Sequence, residues 1–149
     1  MRVMKVREIM RQALVTVRPG VPAREAAELM RSREVRHVLV TDEEGQLVGI
    51  VTDRDLRHSA LLPFLARHLA WEERRLRAPR VRDVMTCSVV TVDPDADLAR
   101  AGLLMFERRI GSLPVTEHGT LVGIVTEGDL FDAFRRDGKS SAPAELYLG

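Results

Sequence analysis

Two short segments carry side chains spaced for chemistry: Gly49-Ile50-Val51-Thr52-Asp53-Arg54-Asp55 and Gly123-Ile124-Val125-Thr126-Glu127-Gly128-Asp129. In each, an apolar run ends in a Thr, and an Asp follows three residues on. At the start of a helix this spacing makes a capping box, in which the hydroxyl accepts from one orphan amide and the carboxylate reaches back to another. The same geometry suits a sugar phosphate. Unpaired amides and the positive end of the helix dipole favour an anion. The Thr hydroxyl donates to a phosphate oxygen, and an ionised Asp offers two acceptor oxygens to a ribose 2′,3′-diol. The two readings are compatible, because a capped turn would hold such a grip in place.

The segments recur because most of the chain is duplicated. Val6 to Leu56 realigns onto Val81 to Leu130: Met10 falls on Met85, Val15-Thr16-Val17 on Val90-Thr91-Val92, Pro19 on Pro94, and Leu29-Met30 on Leu104-Met105. Each copy opens with an amphipathic turn, Val6-Arg7-Glu8-Ile9-Met10 or Val81-Arg82-Asp83-Val84-Met85, apolar at i, i+3 and i+4. A β-branched run follows, Leu14 to Val17 or Val89 to Val92, ended by Pro19 or Pro94. Then Ala23, Ala26 and Met30, or Leu98, Ala101 and Met105, recur at helical spacing. Asp93 or Asp95 is the expected cap of the second of these helices.

A hairpin comes next in each copy. Val35 to Thr41 and Gln46 to Val51 flank the turn Asp42 to Gly45, and Ser112 to Thr116 and Thr120 to Val125 flank Glu117-His118-Gly119. A second helix begins after Thr52 or Thr126. Each copy therefore reads strand, helix, strand, strand, helix, and at about 50 residues it is too small to be secure alone. The near-continuous apolar strands Leu47 to Val51 and Leu121 to Val125 require cover on both faces. The expected fold is α+β (α/β-like), with two pseudo-symmetric β-α-β-β-α repeats packed sheet to sheet. The expected divisions are repeat 1 over 1–59, a helical connector over 60–79, repeat 2 over 80–136 and a flexible tail over 137–149.

Bulk properties narrow the function classes. The chain has 149 residues, 45% apolar and 30% charged, with a formal charge of +1. That composition is globular and gives no global field for nucleic acid or anionic lipid. The Arg-rich stretch from Arg74 to Arg82 adjoins Glu72 and Glu73 and lacks an aromatic stacking platform, so nucleic acid is not expected as a partner. A single cysteine, Cys87, excludes an internal disulfide and fits a reducing cytoplasm. No run reaches the roughly 18 apolar residues of a membrane span. His37, His58, His68 and His118 show no metal-ligand spacing. No Ser/His/Asp or Cys/His set recurs in the two copies, so neither catalysis nor a required cofactor is expected.

The opening Val81-Arg82-Asp83-Val84-Met85-Thr86 and the closing Gly-Ile-Val-Thr-x-x-Asp, in two copies in register, resemble the cystathionine beta-synthase (CBS) domain. The pair resembles a Bateman module from about Val6 to Phe134. The resemblance implies a regulatory module that holds an adenosine ligand (AMP, ADP, ATP or S-adenosylmethionine) in clefts between the repeats. By position, Asp55 and Asp129 would bind ribose hydroxyls, and Thr52 and Thr126 would contact phosphate or the group replacing it. The base would lie against Ala13-Leu14-Val15 and Ser88-Val89-Val90, with Ile50 and Ile124 as apolar walls.

The copies diverge where family members carry a stretch like Arg-His-x-Pro-Val. Copy one has Arg36-His37-Val38-Leu39-Val40 and copy two Gly111-Ser112-Leu113-Pro114-Val115. Unequal clefts follow, the one lined by Arg36 and His37 preferring more phosphate; which Asp shares it stays open. The bland alternative leaves Arg36 and His37 on the surface edge of a strand. Arg54 is placed to reach a phosphate, and Glu127 to repel one. The resulting expectation is a cytoplasmic adenosine-ligand sensor, homodimeric, acting on an unidentified protein target. A second reading keeps the fold but leaves the clefts empty, as a scaffold docking through the Leu61 to Leu76 region.

Overall fold

A computed structural model describes residues 3–59 and 79–137. The expected connector, apart from Pro79, and the tail beyond Asp137 lie outside the described residues. The chain divides into two units: Met1–Gln12, Thr91–Glu117 and Val122–Gly149 form one, and Ala13–Val90 with His118–Leu121 the other. Each unit holds the body of one sequence copy and the opening segment of the other.

In the Ala13–Val90 unit, β1 (Thr16–Val17), β2 (His37–Thr41) and β3 (Leu47–Thr52) form a sheet in that order. β1 runs parallel to β2, with Val17 opposite Val40, and β2 runs antiparallel to β3, with His37 opposite Thr52. Helix α1 (Ala23–Arg33) is made, apart from Ser32, of Ala, Glu, Leu, Met and Arg, all strong helix formers. It buries Ala23, Ala26 and Met30, one face at helical spacing. It stops at Glu34, whose left-handed φ of 54° turns its amide onto the Met30 carbonyl. α2 (Asp53–Ser59) then leaves the end of β3.

The opening segment of copy two completes this unit. Its short helix α3 (Val81–Val84) docks through the amides of Val81 and Arg82, which donate to the Val21 and Pro19 carbonyls at 2.9 Å each. Thr86 and Ile50 then exchange both backbone hydrogen bonds, at 2.9 and 3.0 Å. Val81 is fully buried, in one core with Val17, Ala26, Met30, Val38, Val40 and Val51. Burying one such side chain stabilises by roughly 1.5–3 kcal/mol.

The other unit repeats this wiring with the copies exchanged. A 3₁₀ turn, Val6–Glu8, donates from Val6 to the Ala96 carbonyl at 3.0 Å and from Arg7 to Pro94 at 2.8 Å. Arg11 and Ile124 exchange both backbone bonds, at 2.9 and 3.0 Å, and Val6 is fully buried. The body consists of α4 (Leu98–Arg108), β4 (Ser112–Glu117), β5 (Thr120–Thr126) and α5 (Glu127–Asp137). Val92 bridges Val115 in parallel, in the place that β1 takes beside β2. The β4–β5 hairpin turns at His118 and Gly119, both with positive φ (52° and 81°), the backbone of a two-residue hairpin turn.

One expectation is corrected here. The N-cap of α4 is Asp97, not Asp93 or Asp95, and its side chain makes no capping bond. Asp97 instead pairs with Lys5 Nζ at 3.0 Å, while Asp93 Oδ1 takes the Asp95 amide at 2.8 Å in a local turn. After Pro94 the chain needs that turn before it can enter the helix, which moves the cap on by one Asp.

Candidate functional site

The site elements meet where each last strand passes into a helix. Thr52 closes β3 and Asp53 opens α2. Asp55 donates its amide to Thr52 Oγ1 at 3.1 Å, and Thr52 donates its own amide to Asp55 Oδ2 at 2.9 Å. Thr126 and Asp129 repeat the pair at 3.3 and 3.0 Å. Both capping boxes inferred from the spacing are thus present. Removing one hydroxyl, as Thr52→Val or Thr126→Val, is expected to cost about 1 kcal/mol of stability. Urea unfolding of the two variants measures it, and an unchanged midpoint would show that the hydroxyl bond adds nothing.

The second carboxylate oxygens differ. Asp55 Oδ1 makes no hydrogen bond or ion pair among the described residues. Asp129 Oδ1 accepts from Arg11 Nε at 3.0 Å, its side chain only 11% exposed against 60% for Arg11. A recess of about 420 Å³ opens beside Asp129, lined also by Met4, Glu8, Ile9, Asp132, Ala133 and Arg136.

Arg36 and His37 share the strand end with Thr52. His37 lies opposite Thr52 in the β2–β3 register, and the Asp53 amide donates to the Arg36 carbonyl at 3.0 Å. Glu127 makes the equivalent bond to Gly111. Arg36 and Arg54 are exposed and His37 is half-buried. The basic pair therefore belongs to the same unit as Thr52, Arg54 and Asp55.

The segments expected to hold the base are partly open. Ala13 and Ser88 are exposed, and Leu14, Val15, Val89 and Val90 half-buried. Val15 is tied to the sheet by its carbonyl, which accepts from the Leu39 amide at 3.0 Å. Of the two expected walls, Ile50 is buried in its unit and Ile124 half-buried. Ala13 to Val15, Ile50 and Ser88 to Val90 lie in the unit of Asp55, and Ile124, Thr126 and Asp129 in the other. Among the described residues no cluster of three His, Cys, Asp or Glu is placed to hold a metal ion. No described helix is long and apolar enough to cross a membrane.

Arg11 is the site neighbour that sequence reasoning missed. The signal was legible: Met10-Arg11 realigns with Met85-Thr86, so an Arg stands in one copy where the other has Thr. Both residues occupy the same backbone position, paired with Ile124 and Ile50 respectively.

Two α+β repeats, each closing in a Thr/Asp-capped turn at the mouth of a helix, define a tandem module with duplicated candidate sites. The chain belongs to the CBS domain family, whose model matches residues 6–61 and 81–136. It is 32% identical over 128 residues to a CBS domain-containing protein of Dictyostelium discoideum, covering 85% of this chain and 88% of that one. Other relatives are longer: the chain spans 35% of the uncharacterized protein MJ1404 of Methanocaldococcus jannaschii. Among solved structures it resembles the CBS domain pair of protein MJ0100 in complex with 5′-methylthioadenosine and S-adenosyl-L-methionine. The TM-score is 0.75 at 25% identity, over 93% of this chain and 100% of that one. It also resembles CBSX2 in complex with AMP, with a TM-score of 0.75 at 30% identity, over 90% and 98% of the two chains.

Proposed function

We propose that this protein is a regulatory module that binds an adenosine-containing ligand, an adenine nucleotide or S-adenosylmethionine, and passes its occupancy to a protein target. The observation that carries this reading is the second carboxylate oxygen of Asp55. Among the described residues it has no hydrogen-bond or ion-pair partner, and it lies beside a capped strand-to-helix turn, in a family where two solved relatives hold adenosine compounds. Asp55 and Asp129 take the ribose hydroxyls. Thr52 and Thr126 face the phosphate, with the exposed Arg36 and Arg54 supplying positive charge and the half-buried His37 a ring nitrogen in the unit of Asp55. In the unit of Asp55 the base lies along Ala13 to Val15 and Ser88 to Val90 with Ile50 as a wall, and Ile124 is the corresponding wall in the unit of Asp129. The protein works as a cytoplasmic homodimer. Leu103, Phe106 and Phe134, exposed by 52, 82 and 45%, support pairing of chains through α4 and α5.

A thermal-denaturation series with AMP, ADP, ATP, S-adenosylmethionine and a short oligonucleotide tests the reading. Ligand at a hundred times its Kd adds about 2.7 kcal/mol. Adenosine ligands are expected to raise the midpoint and the oligonucleotide to leave it unmoved. No response to any adenosine ligand would leave the module with a scaffolding role only.

A further inference from the structure

We infer that Arg11 is a latch on the second site, which makes the two sites unequal toward an uncharged ribose diol. The inference rests on the assignment of Asp55 and Asp129 to ribose. Both aspartates spend Oδ2 on their caps. Asp55 keeps Oδ1 for a ligand, whereas Asp129 gives Oδ1 to Arg11 Nε at 3.0 Å. A diol arriving at Asp129 must therefore displace a charge-assisted hydrogen bond from a carboxylate that is 11% exposed. At Asp55 no such displacement is needed.

The cause is one residue at one backbone position. Arg11 pairs with Ile124 as Thr86 pairs with Ile50, so the two segments lie alike beside their aspartates and differ in what they extend. A Thr side chain is too short to reach across to a carboxylate on the following helix; an Arg is long enough. The guanidinium carries a further consequence. The Arg11 side chain is 60% exposed, so it is free to swing from Asp129 to an anionic group on an incoming ligand without a burial cost.

The experiment isolates the second site with Asp55→Ala, which removes both acceptors of the first, and titrates adenosine calorimetrically into that protein, with and without Arg11→Thr. Arg11→Thr places in copy one the residue that copy two already carries. It is expected to tighten adenosine binding about three- to tenfold, the range of a partly exposed charged hydrogen bond. Arg11→Lys in the same background restores the ion pair and is expected to bind as the parent does. Unchanged or weaker adenosine binding in Arg11→Thr overturns the latch, as does Arg11→Lys binding as tightly as Arg11→Thr. Failure of the ribose assignment looks different, since the protein with native Asp55 and Asp129 would then bind adenosine and 2′,3′-dideoxyadenosine alike, or neither.

Discussion

Asp55→Ala is expected to weaken binding of AMP or adenosine by about 2–4 kcal/mol, roughly 30- to 900-fold in Kd. Asp55 Oδ1 is unengaged among the described residues, and Oδ2 has a second lone pair beyond the one that the Thr52 amide uses. Together they accept from both hydroxyls of a diol. Alanine removes both acceptors and also the cap, so stability has to be read beside affinity. Asp55→Asn separates the two. Its amide oxygen still accepts from Thr52, which retains the helix start, but the charge and one acceptor are lost. An intermediate loss of affinity with a near-native melting point is the expected outcome for Asn. Isothermal titration of the three proteins decides the matter. An alanine variant that binds as tightly as the parent would remove Asp55 from the site.

The second large effect is on folding. The Gly of each Gly-Ile-Val-Thr stretch lies under the opening segment contributed by the other copy. A Cβ at Gly49 would stand 2.6 Å from Met85 Sδ and 3.1 Å from the Thr86 carbonyl oxygen. At Gly123 it would meet Met10 Sδ at 2.7 Å and the Arg11 carbonyl oxygen at 3.1 Å. The Met side chains can swing away. The carbonyls cannot, because each belongs to a residue locked by two backbone hydrogen bonds to the next strand residue, Ile50 or Ile124. Gly49→Ala and Gly123→Ala are therefore each expected to cost about 1–3 kcal/mol. Urea titration reads this as a lower midpoint at constant slope. An alanine variant as stable as the parent would mean that the opening segment does not cross there.

The same contact explains why the motif begins with glycine, which its chemistry alone does not. Much else was open to reading from residue types. The Ala23/Ala26/Met30 and Leu98/Ala101/Met105 stripes predict α1 and α4, because a helix of 3.6 residues per turn buries one face. The Thr-x-x-Asp spacing predicts two capping boxes, and both are formed. Periodicity reports which side of an element is apolar, however, and not what will cover it. Val6 and Val81 read as apolar positions of short turns, but nothing local tells that each docks on the body of the opposite copy.

Local rules also failed where three acidic residues competed. Asp93, Asp95 and Asp97 are all plausible caps by type, and only the turn after Pro94 selects Asp97. In the site, burial separated residues that looked equivalent: Ile50 is buried in its unit and Ile124 half-buried. Arg11 escaped notice because one Arg among many reads as solvated surface. Its significance needs the partner, Asp129, a hundred and more residues away in the chain.

The most direct measurement compares AMP with 2′,3′-dideoxy-AMP by calorimetric titration of the unaltered protein. The two differ only in the hydroxyls assigned to Asp55 and Asp129. AMP is expected to bind at least about 30-fold more tightly, the low end of what the lost carboxylate hydrogen bonds supply. Equal affinity for the two compounds, or no heat from either, would contradict the account.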